Sequence, residues 1–248
     1  MNAPLRIAMW SGPRNISTAL MRAWGNRPDT VVVDEPFYAC YLKATGADHP
    51  GADEVIVRGE TDWRKVVACL TSDRLQSGRQ GPSHILYQKQ MTHHLLPEIS
   101  RDWLACVTNC FLIRDPCEVI ASYLKKEQDL TLADLGFKQQ AEIFDWVRTH
   151  TRIIPPVIEA RDLSENPEHT LRLLCDAVGV EFTTEMLSWP AGPRETDGVW
   201  AKHWYAEVER STSFQPSRQN DEPAPERLRA VYQQCSEIYQ RLREHRLR

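Results

Sequence analysis

Two segments of the sequence share one plan, in which a short apolar strand runs into a polar loop and then into a helical pattern. The first covers residues 7–18 and reads IAMWSGPRNIST; the second covers residues 111–123 and reads FLIRDPCEVIASY. A strand that leads into a helix N-terminus aims unpaired backbone N–H groups at one point, so each segment is a candidate anion site. Two such sites predict a ligand with two separated phosphate-like groups.

Apolar runs bounded by turn residues alternate with helical patterns over residues 6–159. The predicted strands are Arg6–Trp10, Thr30–Val33, His84–Tyr87, Thr108–Ile113 and Pro156–Glu159. The predicted helices run from Ser17 to about Asn26, over Asp62–Leu75, Leu96–Leu104 and Pro116–Lys126, and from about Phe137 to Ile153. Asp115 is a good N-cap, because a proline follows it at the first helical position. This alternation predicts an α/β fold with a central parallel sheet flanked by helices, and ligands beyond the carboxyl ends of the strands.

The length of 248 residues and the 42% apolar content predict a single domain with one core. We expect residues 1–160 to be the sheet-forming, nucleotide-binding part and residues 161–248 to be the helical part. In the helical part we expect a helix over Pro167–Val178 and a final amphipathic helix from about Leu228 to Leu242. Residues 43–54 and 190–225 are predicted loops, and the second is long enough to cover an active site.

Composition excludes several other classes of protein. A net charge of −4 gives no basic surface for nucleic acid, and no stretch approaches the roughly 20 apolar residues of a membrane span. The first four residues lack the features of a signal peptide. The seven cysteines form no C-x-x-C pair, and no cluster of metal ligands is evident. We therefore expect a cytoplasmic protein without a metal, whose cysteines are reduced.

The loop of the first segment carries one cation and two hydroxyls at the start of a helix. It is not a Walker A motif, because the pattern G-x-x-x-x-G-K-[ST] is absent. The guanidinium of Arg14, with the hydroxyls of Ser17 and Thr18, can surround a tetrahedral anion as well as a lysine does. Taken alone, the same residues also fit an ordinary strand–turn–helix with a solvent-facing arginine.

In these motifs the chain resembles the sulfotransferases that use 3′-phosphoadenosine 5′-phosphosulfate (PAPS). Pro13, Arg14, Ser17 and Thr18 match the Pro-Lys/Arg-Ser-Gly-Thr-Thr type loop of that family, with a conservative Ser for Thr at position 17. Arg114, Asp115, Pro116 and Ser122 match its Arg-Asp-Pro-x-x-x-x-x-Ser motif, and residues 160–179 look like a third family segment. The arginine in the loop is more similar to the tyrosyl-protein and bacterial carbohydrate sulfotransferases than to the cytosolic enzymes, which have lysine.

The resemblance implies a P-loop NTPase-like architecture, PAPS as the donor and adenosine 3′,5′-bisphosphate as the product. It implies that Arg114 and Ser122 hold the 3′-phosphate, and that the loop holds the 5′-phosphosulfate. The loop residues concerned are Ser11, Gly12, Arg14, Asn15, Ser17 and Thr18. Two departures stand out. Ile16 replaces the usual glycine, and the C-terminal Arg-Lys-Gly signature is missing, for which residues 198–205, including Trp200 and Lys202, are the best substitute.

Sulfuryl transfer to a hydroxyl needs a base, and two candidates are present. Glu35 follows the Thr30–Val33 strand, which is expected to neighbour the phosphate-loop strand, and the tyrosyl-protein and bacterial carbohydrate enzymes carry a catalytic glutamate at a similar place. The alternative is His93, because residues 89–93 look like the Lys-Thr-His segment of the cytosolic enzymes. Lys89 is a candidate to assist the leaving phosphate or to bind the acceptor, and Asp34 is a spare carboxylate.

The predicted function is therefore sulfuryl transfer from PAPS to a hydroxyl, or an amine, of a small-molecule or carbohydrate acceptor. Two alternatives stay open. The chain could be a non-catalytic nucleotide-binding domain with the same fold, which Ile16 and the missing C-terminal signature suggest. A P-loop kinase-like phosphotransferase is the other, although the Arg-Asp-Pro motif favours sulfotransfer. The sequence carries no signal for the acceptor or the oligomeric state.

Overall fold

The structure is a computed structural model that describes residues 3–72, 84–124, 130–216 and 224–248. Its centre is a sheet of five parallel strands in the order β2-β3-β1-β4-β5. The strands are β1 (Leu5–Ser11), β2 (Thr30–Asp34), β3 (Ile85–Met91), β4 (Thr108–Ile113) and β5 (Val157–Glu159). The predicted single α/β fold with a parallel sheet is confirmed.

The strand order differs from one expectation. β3 lies between β2 and β1, so the strand that precedes Glu35 is not the neighbour of the phosphate-loop strand. Every residue of β3 is buried, whereas β2 alternates between buried and half-buried residues. A strand that is buried on both faces belongs inside a sheet, and an alternating strand suits its edge.

Twelve α-helices lie within the described ranges, and most of them cover the two faces of the sheet. They are α1 (Ser17–Gly25), α2 (Tyr38–Thr45), α3 (Ala52–Arg58), α4 (Trp63–Leu70), α5 (Pro116–Tyr123), α6 (Leu132–Leu135), α7 (Phe137–Thr151), α8 (Ala160–Glu165), α9 (Pro167–Val178), α10 (Ala201–Trp204), α11 (Ala206–Arg210) and α12 (Arg229–Arg243). Short 3₁₀ helices cover Thr92–His94, Asp102–Cys106, Thr184–Leu187 and Glu226–Leu228. Helix α4 ends at Leu70 and α5 ends at Tyr123, so both stop short of the predicted ends at Leu75 and Lys126, positions that themselves lie outside the described residues.

The helix predicted over Leu96–Leu104 is wrong. Pro97 disfavours the helical conformation of the residue before it. The guanidinium of Arg101 instead holds a compact loop, because it donates hydrogen bonds to the carbonyl oxygens of Leu95, Leu96 and Ile99. Only the 3₁₀ helix Asp102–Cys106 forms in that region.

Both predicted loops are shorter than expected. Helices α2 and α3 occupy both ends of residues 43–54 and leave only 46–51 as the connection, with positive φ at Gly46 and Gly51. Glycine adopts this left-handed conformation without strain, which is why α2 ends there. Residues 190–225 contain α10 and α11, and residues 217–223 of that segment are not described.

Alternate residues of the central strands face two separate hydrophobic clusters. Trp10 and Phe111 lie on one face with side chains from α7 and α12, such as Phe144. Met9 and Leu112 lie on the other face, with side chains from α1 and α9. Since successive side chains of a strand point to opposite faces, this double burial requires the nearly continuous apolar runs seen in β1 and β4.

Candidate functional site

A cavity of about 1180 Å³ opens at the carboxyl ends of the strands. Its wall includes residues that follow each of the five strands: Pro13, Glu35, His93, Arg114 and Ala160. Further parts of the wall come from α5 and from residues 200–216, namely Trp200, Trp204, Tyr205, Glu207, Val208, Ser211, Ser213, Phe214, Gln215 and Pro216. The cavity therefore lies where the sequence predicts a ligand site, and both anion motifs line it.

The backbone of the loop between β1 and α1 is held in a tight turn. A Cβ at Gly12 would lie 2.7 Å from the carbonyl oxygen of Leu135, so only glycine fits there. The side-chain amide of Asn15 is buried and donates a hydrogen bond of 3.1 Å to the Leu112 carbonyl in β4. Arg14 and Ile16 both have positive φ, 61° and 53°. A positive φ is rare for a β-branched residue, so Ile16 adopts the conformation of the missing glycine at a cost in strain.

The predicted loop hydroxyls differ in their position. Ser17 lies in the first turn of α1 and lines the cavity together with Thr18. Ser11 is fully buried, its hydroxyl lies 3.9 Å from the sulfur of Met91, and it is not part of the cavity wall. Among the hydroxyls of the first loop, Ser17 and Thr18 are thus the ones that reach the site.

The two anion motifs touch each other. The Nε of Arg14 donates a hydrogen bond of 2.9 Å to Ser122 Oγ, and Nη1 of Arg114 donates one of 2.6 Å to the carbonyl oxygen of Arg14. Sequence separation alone suggested two distinct anion sites, whereas the structure joins them into one basic wall.

A buried carboxylate orients this basic wall. Glu118 accepts a hydrogen bond of 2.9 Å from Nε of Arg114 and another of 2.8 Å from Arg161. Burial alone would raise the pKa of Glu118, but the two guanidinium groups outweigh burial and lower it. Glu118 is therefore ionised at neutral pH and fixes the Arg114 guanidinium at the cavity.

Glu35 lies at the other end of the cavity, directly after β2. Its φ is 40°, a strained conformation for a residue other than glycine, and its N–H donates to the carbonyl oxygen of Lys89. Oε1 of Glu35 accepts a 2.5 Å hydrogen bond from the Lys89 ammonium, and Oε2 lies 3.9 Å from Nδ1 of His94. One carboxylate oxygen is thus paired, and the other faces an imidazole.

Burial and charge together shift the pKa values at this end of the cavity. Burial raises the pKa of Glu35, the charge of Lys89 opposes this rise, and the carboxylate of Asp34 adds to it, so the pKa remains above its ordinary value. Burial would lower the pKa of Lys89, but Asp34 and Glu35 raise it well above its ordinary value. The Lys89 side chain is thus a buried, permanently charged ammonium.

The two histidines after β3 are both neutral at neutral pH. Desolvation, assisted by His49, lowers the pKa of His93 to about 4. Burial and the neighbouring His93, His49 and Lys89 lower the pKa of His94 well below its ordinary value. The His94 ring lies beside Glu35 and stacks on Tyr38 and Tyr41 at centroid distances of 4.7 and 4.8 Å, whereas His93 packs edge-on against Tyr41.

Trp200 and Lys202, the two site residues predicted from 198–205, lie in different environments. Trp200 lines the cavity, packs edge-on against Tyr38 at 5.1 Å and donates a hydrogen bond of 3.2 Å to the Tyr205 hydroxyl. Lys202 is exposed, forms an ion pair with Glu54 and is not part of the cavity wall. The described contacts of this segment lie at the Glu35 end of the cavity, not at the Arg114 end.

Sequence reasoning missed Tyr205 as a site residue. Its hydroxyl lies 2.7 Å from the Lys89 ammonium and donates to Asp34, 171 positions away in the chain. Such a long-range contact leaves no local sequence signal. The Asp34–Glu35 pair at the end of a strand was the only hint that a charged cluster forms there.

The chain matches the sequence profile of the family described as "Sulfotransferase domain" over residues 5–242. The chain therefore belongs to the sulfotransferase family. Two Arabidopsis thaliana proteins named branched-chain-amino-acid aminotransferase-like protein 1 and 2 are 35% and 34% identical to it over 246 and 242 residues. These matches cover 99% and 96% of this chain but only 43% and 41% of the plant proteins, so the chain spans less than half of their length.

Solved sulfotransferase structures share the fold. The sulfotransferase domain of the Synechococcus PCC 7002 olefin synthase is similar with a TM-score of 0.61 and 19% identity, and covers 97% of this chain and 96% of that one. A sulfotransferase from Alicyclobacillus acidocaldarius is similar with a TM-score of 0.56 and 14% identity, and the match covers 98% of this chain and 97% of that one. The sulfotransferase domain from the curacin biosynthetic pathway is similar with a TM-score of 0.53 and 18% identity, and the match covers 95% of this chain and 99% of that one.

No helix in the ranges 3–72, 84–124, 130–216 and 224–248 is long and apolar enough to cross a membrane. In the same ranges, no group of three or more His, Cys, Asp or Glu side chains is arranged to hold a metal ion.

Proposed function

We propose that this chain transfers a sulfuryl group from PAPS to a hydroxyl of a small-molecule or carbohydrate acceptor. One observation carries the proposal: Arg14, Ser122 and Arg114 are hydrogen-bonded into one basic wall of a cavity whose other end holds Glu35. A donor with two anionic groups fits the basic wall, and an acceptor fits beside the carboxylate.

The donor set at the basic wall suits phosphate and sulfate oxygens. Arg14 uses Nε to bind Ser122, and neither of its Nη groups has a partner among the residues that the structure describes. The N-terminus of α1 adds backbone N–H groups and the hydroxyls of Ser17 and Thr18. These groups would hold the 5′-phosphosulfate, and Arg114 with Ser122 would hold the 3′-phosphate.

Glu35 is the better of the two base candidates. A base works best when its pKa lies near the working pH. Burial moves the pKa of Glu35 upward towards neutrality, whereas it moves that of His93 down to about 4, which makes His93 a weak base. In the proposed reaction, Glu35 accepts the proton of the acceptor hydroxyl while the hydroxyl oxygen forms its bond to the sulfur of the donor. Arg14 and the N-terminus of α1 stabilise the charge that develops on the departing phosphate oxygen.

The conformation of Ile16 supports an active enzyme over a non-catalytic relative. Replacement of the usual glycine was one of the two reasons to consider that alternative, together with the missing C-terminal signature. Because Ile16 adopts a φ of 53°, the loop backbone follows the course that glycine would permit.

Calorimetry tests the proposed function. We expect adenosine 3′,5′-bisphosphate to bind more tightly than ADP or ATP, since only the bisphosphate carries a 3′-phosphate for Arg114 and Ser122. Tighter binding of ATP would contradict the proposal. A screen of hydroxylated metabolites and sugars with radiolabelled PAPS would then identify the acceptor.

A further inference from the structure

All three N–H donors of the Lys89 ammonium are hydrogen-bonded to groups of the protein. Its Nζ lies 2.9 Å from Asp34 Oδ1, 2.5 Å from Glu35 Oε1 and 2.7 Å from the Tyr205 hydroxyl. A lysine ammonium has three N–H donors, and each of these acceptors takes one. The side chain is only 2% exposed, so no donor remains for a substrate.

Asp34 is occupied in the same way. Its carboxylate accepts hydrogen bonds from Lys89, from the Tyr205 hydroxyl at 2.7 Å and from the backbone N–H of Gly198 at 3.2 Å. The side chain is 2% exposed. Asp34 is therefore not placed to take a proton from an acceptor, although it lies next to Glu35 in the chain.

We propose that Asp34 and Tyr205 are positioning residues that hold the Lys89 ammonium against Oε1 of Glu35 and leave Oε2 directed at the acceptor. Lys89 then acts on the base and not on the leaving phosphate. This inference rests on the proposed function only in naming Glu35 as the base. The arrangement depends on residues 198–205, because Gly198 and Tyr205 complete the shell of Asp34.

Tyr205 and Asp34 should affect the pKa of Glu35 in opposite directions, and this difference distinguishes the positioning role from simple structural support. The groups that face Glu35 are Asp34, Lys89, His94, Tyr38 and Tyr205. The hydroxyl of Tyr205 accepts a hydrogen bond from Lys89 and donates its proton to Asp34, so it holds in place the ammonium that lowers the pKa of Glu35, whereas the charge of Asp34 raises that pKa. Removing the hydroxyl should therefore raise the pKa of Glu35, and removing the charge of Asp34 should lower it. Loosening of the fold would move both variants in the same direction.

The experiment uses the ligand-free protein labelled with ¹⁵N at the lysine Nζ atoms. Exposed ammonium groups such as Lys138 exchange their protons too fast for detection at neutral pH, whereas Lys89 should give a signal, which Lys89→Met would assign by its loss. We expect Tyr205→Phe to speed hydrogen exchange of that signal about tenfold, because a charge-assisted hydrogen bond is lost. Tyr232→Phe on α12 is the matched control and should leave the exchange unchanged.

The pH dependence of the Lys89 shift reports protonation of Glu35. We expect its midpoint to move up in Tyr205→Phe and down in Asp34→Asn. Unchanged hydrogen exchange of Lys89 in Tyr205→Phe would overturn the inference, and so would titration midpoints that move in the same direction in both variants. If Asp34→Asn does not fold, the result for Tyr205→Phe decides the question alone. The measurement involves neither donor nor acceptor. Failure of sulfuryl transfer with these results intact would therefore count against the proposed function and not against the positioning role.

Discussion

Arg14 and Ser122 are 108 residues apart in the chain, yet the Nε of Arg14 donates a 2.9 Å hydrogen bond to Ser122 Oγ. This contact makes the first loop and α5 parts of one binding wall. Arg114 adds a second link through the carbonyl oxygen of Arg14. A change in one motif is therefore transmitted to the other, and affinity for the two ends of a bisphosphate should not be separable.

The first prediction compares two arginines that bind the same carboxylate. Arg114 and Arg161 donate to Glu118 at 2.9 and 2.8 Å, but only Arg114 is part of the cavity wall. We expect Arg114→Ala to weaken binding of adenosine 3′,5′-bisphosphate tenfold or more, since loss of a charge-assisted pair costs about 1.5–3 kcal/mol. Arg161→Ala should weaken it much less. Equal losses in calorimetry would mean that Glu118, not direct contact, sets the affinity.

A second prediction concerns the strain at Ile16. An L-residue in the left-handed region costs roughly 1–2 kcal/mol, a cost that glycine does not have. Both Ile16→Ala and Ile16→Gly lose the packing of this half-buried side chain, but only the glycine variant relieves the strain. We therefore expect Ile16→Gly to be about 1 kcal/mol more stable than Ile16→Ala in urea unfolding, although glycine is usually the less stable of the two in a helix. The reverse order would show that the loop is unstrained.

The parts of the site that sequence predicted are those set by local chemistry. Asp115 accepts a hydrogen bond of 2.8 Å from the Cys117 N–H, as expected for an N-cap before proline. The apolar runs located all five strands, because a strand covered on both faces must be apolar throughout.

The parts that sequence did not predict depend on distant contacts. Strand order is one of them, since nothing local places β3 between β2 and β1. The contact of Tyr205 with Asp34 joins residues 171 apart, and the loop around Arg101 is fixed by bonds to backbone carbonyls that any sequence could offer. Tertiary packing decided these features, and local propensity did not.

The third prediction tests the base. Glu35→Gln keeps the size of the side chain but cannot accept the acceptor proton, so we expect sulfuryl transfer to be lost and bisphosphate affinity to be retained. Since the pKa of Glu35 is raised by burial, wild-type activity should fall as the pH decreases through a value above that of an ordinary glutamate. The His93→Gln variant should show the same fall in activity at low pH. If His93→Gln is the inactive variant, His93 is the base.

A fourth prediction follows from the low pKa of His93. In the folded protein its pKa is about 4, against 6.5 for an ordinary histidine, so the unfolded chain binds more protons between these values. Stability is therefore lost as the pH falls from 6.5 towards 4, and His94 contributes in the same direction. We expect the loss of unfolding free energy between neutral pH and pH ~4.5 to be smaller by about 2 kcal/mol in His93→Gln than in the wild type. Urea unfolding at both pH values measures it, and an unchanged loss would show that His93 is charged in the native state.

The last prediction concerns the ion pair that anchors residues 190–210 to α1. Arg22 in α1 donates two hydrogen bonds, of 2.5 and 2.7 Å, to the carboxylate of Asp197, and the side chains are 3% and 5% exposed. Removing one partner leaves a buried charge unpaired, which costs about 3–5 kcal/mol, whereas replacing both with apolar residues is often neutral.

We therefore expect Asp197→Leu to be strongly destabilised and the double variant Arg22→Met/Asp197→Leu to recover most of the stability. Chemical unfolding of the two variants measures this difference. Because residues 198–205 supply Gly198 and Tyr205 to Asp34, the single variant should also lose the order of the Lys89–Glu35 pair. Loss of slow hydrogen exchange at Lys89 in Asp197→Leu, with recovery in the double variant, would link this anchor to the base. A double variant no more stable than the single one would mean that the pair contributes more than charge compensation.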